Sequence, residues 1–136
     1  MSRTIIITGA SGKFGRVLVE NFLAEGDTVI AIGRTKKKLD QLEFYKKNRH
    51  QKLHIICIDL MEDDAIKNVT KVIKDLGLQP DSLINNARNL EHTQLDESGK
   101  ASSKSFHDEF KLGVVVPYQF TMLLVYTFKS SFKNVV

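Results

Sequence analysis

Thr4-Ile5-Ile6-Ile7-Thr8-Gly9-Ala10-Ser11-Gly12-Lys13-Phe14-Gly15 is the stretch that decides the fold. Its first five residues are β-branched, a composition that suits a strand buried on both faces. Three of the chain's eight glycines then fall between positions 9 and 15. Beyond them Phe14, Leu18 and Phe22 recur at a spacing of four until Gly26, which predicts a helix. A strand, a glycine turn and a helix in that order have a specific use. One glycine permits the sharp turn, a second lets backbone N–H groups approach a pyrophosphate, and a third lets helix and strand pack closely. The helix N-terminus adds partial positive charge. This context turns a bare glycine triplet into a dinucleotide-binding loop, with Gly9, Ser11, Gly12, Phe14 and Gly15 as candidate pyrophosphate contacts.

Outward from this stretch the pattern repeats. Thr28-Val29-Ile30-Ala31-Ile32 predicts a second strand closed by Gly33, and Leu53 to Ile58 a third that contains Cys57. Lys36 to Arg49 predicts a polar helix with Leu39, Leu42 and Tyr45 on one side. Ile66, Val69, Val72, Ile73 and Leu76 mark an amphipathic helix that Gly77 stops. Ser82-Leu83-Ile84 is a short fourth strand, residues 88–104 a polar surface loop, and Phe106 to Phe128 a long apolar segment. Phe132 to Val136 reads as the start of a fifth strand. Strands alternating with helices indicate βαβ units: one Rossmann-like α/β domain over residues 1–136, a doubly wound parallel sheet of five N-terminal strands in the order 3-2-1-4-5.

The end of the second strand bears on which cofactor is held. A site for NAD wants a carboxylate roughly 20 residues past the glycine motif, to accept bonds from the ribose 2′-OH. Here Gly33-Arg34-Thr35 offers none, and Arg34 can pair with a 2′-phosphate instead. Lys36, Lys37 and Lys38 fall in a first helical turn, where cations oppose the helix dipole by about 0.3–1 kcal/mol each unless an anion lies near. NADP is therefore favoured over NAD, with Arg34 as the main contact and the lysines secondary.

The spacing Thr8-Gly9-x-x-Gly12-x-x-Gly15 resembles that of the short-chain dehydrogenase/reductase family, especially its extended and atypical branches. Asp59-Leu60 after the third strand, Asn85-Asn86-Ala87 after the fourth, and Phe110 to Thr121 with Pro117 agree with it in order. The resemblance implies that Asp59 and Leu60 meet the adenine and that Asn86 and Ala87 flank the nicotinamide ribose. It implies an NADP-dependent oxidoreductase acting on a carbonyl or alcohol, with the 106–128 helix packed on the sheet and on its counterpart in a homo-oligomer. Three departures stand out. The family's tyrosine with a lysine four residues later is absent, because Tyr45, Tyr118 and Tyr126 are followed at that distance by Arg49, Met122 and Ser130. Arg88 replaces the glycine of Asn-Asn-Ala-Gly, and Gly113 lies where many members carry a helix asparagine. The chain thus reads as the cofactor-binding portion, ending before the catalytic segment and inactive alone, with no catalytic residue assignable. Its alternatives are a non-catalytic NADP sensor or half of a split enzyme. The glycine spacing hints at a sugar or polysaccharide precursor as substrate, and Arg88 at an anionic one.

Composition sets the remaining bounds. Hydrophobic residues at 42% and charged residues at 26% exclude a disordered or fibrous chain. One cysteine excludes an internal disulfide, and Cys57 is expected to be a small buried residue. His50, His54, His92 and His107 have no metal-ligand spacing, so no metal is expected, and His107-Asp108-Glu109 reads as an exposed helix start. The net charge of +4 concentrates at Arg34 to Lys38, with Lys46, Lys47 and Arg49 following, and because a dinucleotide-type glycine turn precedes this cluster, it points to a small phosphate rather than nucleic acid. The apolar run Thr4–Ile7 is too short for a signal peptide, which implies a cytoplasmic protein. Leu112 to Tyr126 contains Pro117 and Gln119 and falls short of the roughly 20 residues of a membrane span, so no membrane is expected.

Overall fold

The structure is a computed structural model that describes residues 2–46, 52–88, 95–100 and 102–136. Its strands are β1 (Thr4–Thr8), β2 (Thr28–Gly33), β3 (Leu53–Cys57), β4 (Ser82–Ile84) and β5 (Asn134–Val135). They form one parallel sheet in the order β3-β2-β1-β4-β5, as the sequence implies. Side chains alternate across each strand, and here both faces are apolar. Ile6, Ile30, Ile32 and Leu83 point into one core with α4 (Ala65–Asp75) and α6 (Val116–Thr127). Ile5, Ile7, Val29 and Ala31 point into the other, against α1 (Lys13–Ala24) and the residues Leu39 and Leu42. The sheet is therefore wound on both sides, and β1 at its centre is held by neighbours on each edge.

Several local expectations shift. The helix after β1 buries Gly15, Val19 and Leu23, while Phe14 is exposed and Leu18 and Phe22 only flank the core. A glycine must face the strand where the two approach most closely, and this rotates the apolar spacing by one residue. The polar helix past β2 runs as α2 (Lys36–Leu39), a 3₁₀ turn (Asp40–Leu42) and α3 (Glu43–Lys46). Lys47, Arg49, His50 and His92 lie outside the described residues.

Cys57 is exposed rather than buried. It ends β3, the outer strand of the sheet, and its Sγ donates to the Arg34 carbonyl at 3.7 Å. The polar loop ends at Ser102, whose hydroxyl accepts from Ser105 N at 2.9 Å and caps α5 (Ser103–Phe110). A π turn (Lys111–Val115) joins α5 to α6, giving one helix of 25 residues from 103 to 127. Pro117 has no N–H to return to the Gly113 carbonyl, and the helix widens immediately before it. The helix is long and apolar enough to cross a membrane by length and composition, so the length expectation against a span does not hold. One of its faces, through Val116, Phe120 and Leu124, is buried in the sheet core.

The end of the sheet opposite the glycine turn is fastened by charge. The Arg3 guanidinium donates to Asp27 Oδ2 at 2.5 Å from Nη2 and at 3.1 Å from Nε, and Arg3 N donates to Asp27 Oδ1 at 2.8 Å. Asp27 is buried, and these hydrogen bonds hold its carboxyl below the usual carboxylate range. A group with a lowered folded pKa contributes stability above its unfolded pKa of about 3.9 and loses it as pH falls through the folded value. Asp27→Asn should cost about 1–3 kcal/mol at pH 7. The gap from wild type, read from urea midpoints, should close on acidification below about pH 4.

Candidate cofactor site

The glycine turn divides its labour as the residue types suggest. Gly9 has φ +62°, and an added Cβ there would lie 2.8 Å from Ala87 Cα. A Cβ on Gly15 would lie 2.1 Å from the Gly9 carbonyl oxygen, so α1 reaches β1 only because that position is bare. Gly12 is different, because a Cβ there meets only Gly9 O at 3.4 Å and its other side is open. Two glycines thus serve the fold, and the third leaves backbone accessible at the start of a helix.

The loop after β4 is tied to this turn by side chains. Thr8 Oγ1 accepts from Asn86 N and Ala87 N, both at 3.0 Å, and donates to Ile84 O at 3.4 Å. Asn86 Nδ2 donates to Gly9 O at 3.1 Å. Thr8 is buried, and its hydroxyl takes up backbone N–H groups that the end of β4 leaves over. On the far side, Asp59 Oδ1 accepts from Met61 N at 2.9 Å and shapes the loop after β3. Helix α4 begins only at Ala65, so Asp59 does not cap it. Lys111 Nζ donates to Met61 O at 2.7 Å and joins the π turn to that loop.

These ties surround a cleft of about 390 Å³ at the C-terminal ends of β1, β2, β3 and β4. Gly9, Ser11, Gly12, Phe14, Gly15, Arg34, Asp59, Leu60, Asn86 and Ala87 all line it, so the structure brings together all ten residues singled out from sequence. Among the described residues, four cations, Lys13, Arg34, Lys38 and Arg88, and one carboxylate, Asp59, line the same space. That balance favours a ligand carrying several negative charges. The three lysines after Thr35 separate. Lys38 lines the cleft, whereas Lys36 pairs with Asp40 at 2.9 Å, which raises its pKa above the ordinary lysine value.

Sequence reasoning missed Lys13, Ile32, Gly33, Thr35, Ile58, Met61 and Leu112 as lining residues. Lys13 carried a signal, standing inside the glycine motif. Gly33 was read only as a strand end, yet a Cβ there would lie 2.9 Å from Leu39 Cδ2 and 3.0 Å from Ser11 Oγ. Leu112 had no local signal, since the π turn carries it to the cleft from far along the chain.

A sequence model described as short chain dehydrogenase matches residues 3–133. The chain belongs to that family. It is 36% identical over 87 residues to a serine 3-dehydrogenase of Agrobacterium fabrum, covering 64% of this chain and 34% of the relative. It is 30% identical over 83 residues to an NADP-dependent 3-hydroxy acid dehydrogenase of Escherichia coli, covering 61% of this chain and 32% of that one. Among solved structures, a short-chain dehydrogenase from Streptomyces avermitilis superposes with a TM-score of 0.77 at 27% identity, covering 98% of this chain and 49% of the other. One from Bacillus anthracis gives 0.82 at 21% identity, with coverage of 98% and 56%, a likeness of fold. The chain spans about a third of these curated relatives and about half of these solved structures. Family membership makes it an oxidoreductase-family chain and implies binding of a nicotinamide dinucleotide, NAD or NADP.

The glycine contacts predict a split between stability and binding. Gly15→Ala should prevent stable folding or lower Tm sharply, because the backbone oxygen it meets cannot move aside. Gly12→Ala should keep Tm close to wild type and still weaken dinucleotide binding. Thermal unfolding beside a cofactor titration separates the two.

Proposed function

We propose that this chain binds NADP(H) in the cationic cleft and supplies the cofactor side of a hydride transfer to or from a small polar carbonyl or alcohol, in the cytoplasm. The observation that carries this is the grouping of Arg34, Thr35 and Lys38 in the same cleft as the glycine turn, where a carboxylate would favour NAD. In this reading the Arg34 guanidinium and Lys38 ammonium hold the 2′-phosphate, and Gly9, Ser11, Gly12, Phe14 and Gly15 surround the pyrophosphate. Asp59 and Leu60 bound the adenine, and Asn86 and Ala87 the nicotinamide ribose. Bound there, the cofactor supplies or accepts the hydride. A tyrosine with a lysine four residues on is not present in the 136 residues, so the chain alone holds cofactor without turning substrate over. Several relatives favour a small polar substrate, their names giving serine, sulfoacetaldehyde and a 3-hydroxy acid, the last with NADP, whereas others name a hydroxysteroid and a pterin aldehyde. The sugar precursor rests on glycine spacing alone.

Titration with NADPH and NADH tests the cofactor assignment. NADPH should bind at least tenfold more tightly. Arg34→Ala should cost about 1.5–3 kcal/mol of NADPH affinity while leaving NADH nearly unchanged, as loss of a hydrogen bond to a charged group does. Lys36→Ala should change neither. Equal affinities of the wild-type chain for the two cofactors would overturn the NADP assignment.

We also propose that the outer face of the 103–127 helix joins two copies of the chain. Phe106, Phe110, Val114, Tyr118, Met122 and Tyr126 recur every four residues and are all exposed, forming one apolar stripe opposite the buried face. Sedimentation should show a dimer that Tyr118→Glu with Met122→Glu converts to monomer without loss of NADPH binding. A wild-type chain that sediments as a monomer at every concentration would end this reading.

A further inference from the structure

A second cavity of about 320 Å³ adjoins the cofactor cleft and shares Leu60, Ala87, Arg88 and Leu112 with it. Its size is at the small end of the range for small-molecule sites, about 300–1,000 Å³. Its charge differs from that of the cleft. Among the described residues, four cations and one carboxylate line the cleft, whereas one of each sign, Arg88 and Glu109, lines the second cavity. The two arrive on separate elements, Arg88 from the loop after β4 and Glu109 from α5. Among the described residues no ion pair joins the two. The rest of the described lining is mostly apolar or small, with Thr8 and Asn85 as its uncharged polar members, and at Gly113 an added Cβ would meet nothing within 4 Å.

We infer that this cavity recognises a small zwitterion, with Arg88 taking its anionic group and Glu109 its ammonium. A simple anion gains from Arg88 and loses to Glu109, and a simple cation does the reverse. A molecule carrying both charges gains from each, so the cavity discriminates by charge pattern rather than by net charge. The guanidinium suits a carboxylate because its planar fork can donate two parallel hydrogen bonds. The missing side chain at Gly113 leaves room for the body of the ligand. This inference rests on the cofactor reading, because the shared wall at Ala87 and Arg88 is what sets the zwitterion beside the nicotinamide end.

Calorimetric titration of the full chain, with and without saturating NADP, tests it using L-serine as the zwitterion, 3-hydroxypropionate as the anion and ethanolamine as the cation. L-serine should bind at least tenfold more tightly than either. Arg88→Gln should weaken L-serine by roughly ten- to a hundredfold and leave ethanolamine favoured over 3-hydroxypropionate, and Glu109→Gln should reverse that order. Equal binding of the three probes, no binding of any, or an order that Glu109→Gln leaves unchanged would overturn the zwitterion site. Failure of NADP to bind while L-serine still discriminates would overturn the cofactor reading alone. NADP binding without discrimination would overturn only the zwitterion site.

Discussion

The approach of α1 to the end of β1 is the constraint on which the rest of the molecule depends. With only 2.1 Å between the Gly9 carbonyl oxygen and the place a Gly15 Cβ would occupy, the helix axis is set by backbone against backbone. That contact leaves no side chain to adjust, so it fixes the helix to within the tolerance of close packing. Gly9, turning at positive φ, also brings its backbone against Ala87 and Asn86. Thr8 and Asn86 then bind the same two segments by hydrogen bonds. Gly12 takes no part in this packing and lines the cleft.

The sheet order was legible because both faces of β1 and β2 are apolar. Ile5, Ile6 and Ile7 in succession cannot belong to a strand with one wet face, and a two-sided burial needs helices on both sides. That the ten candidate residues share one cleft was legible for a related reason. They lie in the turns that follow parallel strands or, for Phe14 and Gly15, in the first turn of the helix after β1, which is where an open α/β sheet leaves its crevice. Motif position therefore stood in for spatial position, and every one of them reached the same cleft.

Other features depend on contacts that no local pattern encodes. Cys57 lies in an apolar strand and reads as buried, yet β3 is the outer strand and the residue sits at its exposed end. Lys36, Lys37 and Lys38 are alike in sequence, and only the pairing of Lys36 with Asp40 and the entry of Lys38 into the cleft distinguish them. The long helix begins before its first apolar residue, because the Ser102 cap starts it, and Pro117 widens it. Its amphipathic character is hard to see from composition, since one face is buried and the other is an exposed apolar stripe.

The contrast between the two cavities follows from this geometry. Lys13, Arg34 and Lys38 come from the glycine turn and the region after β2, so positive charge accumulates at the edge where phosphates would sit. Beyond Ala87 the lining passes to the long helix, and Glu109 enters with Arg88 as the one cation among the described lining residues. A polyanion is attracted strongly to the first space and gains little from the second. The described lining therefore favours a polyanion in the cleft far more than in the neighbouring cavity. Arg88 belongs to both linings, and replacing the glycine expected there with a cation makes the boundary between the two spaces a charged one.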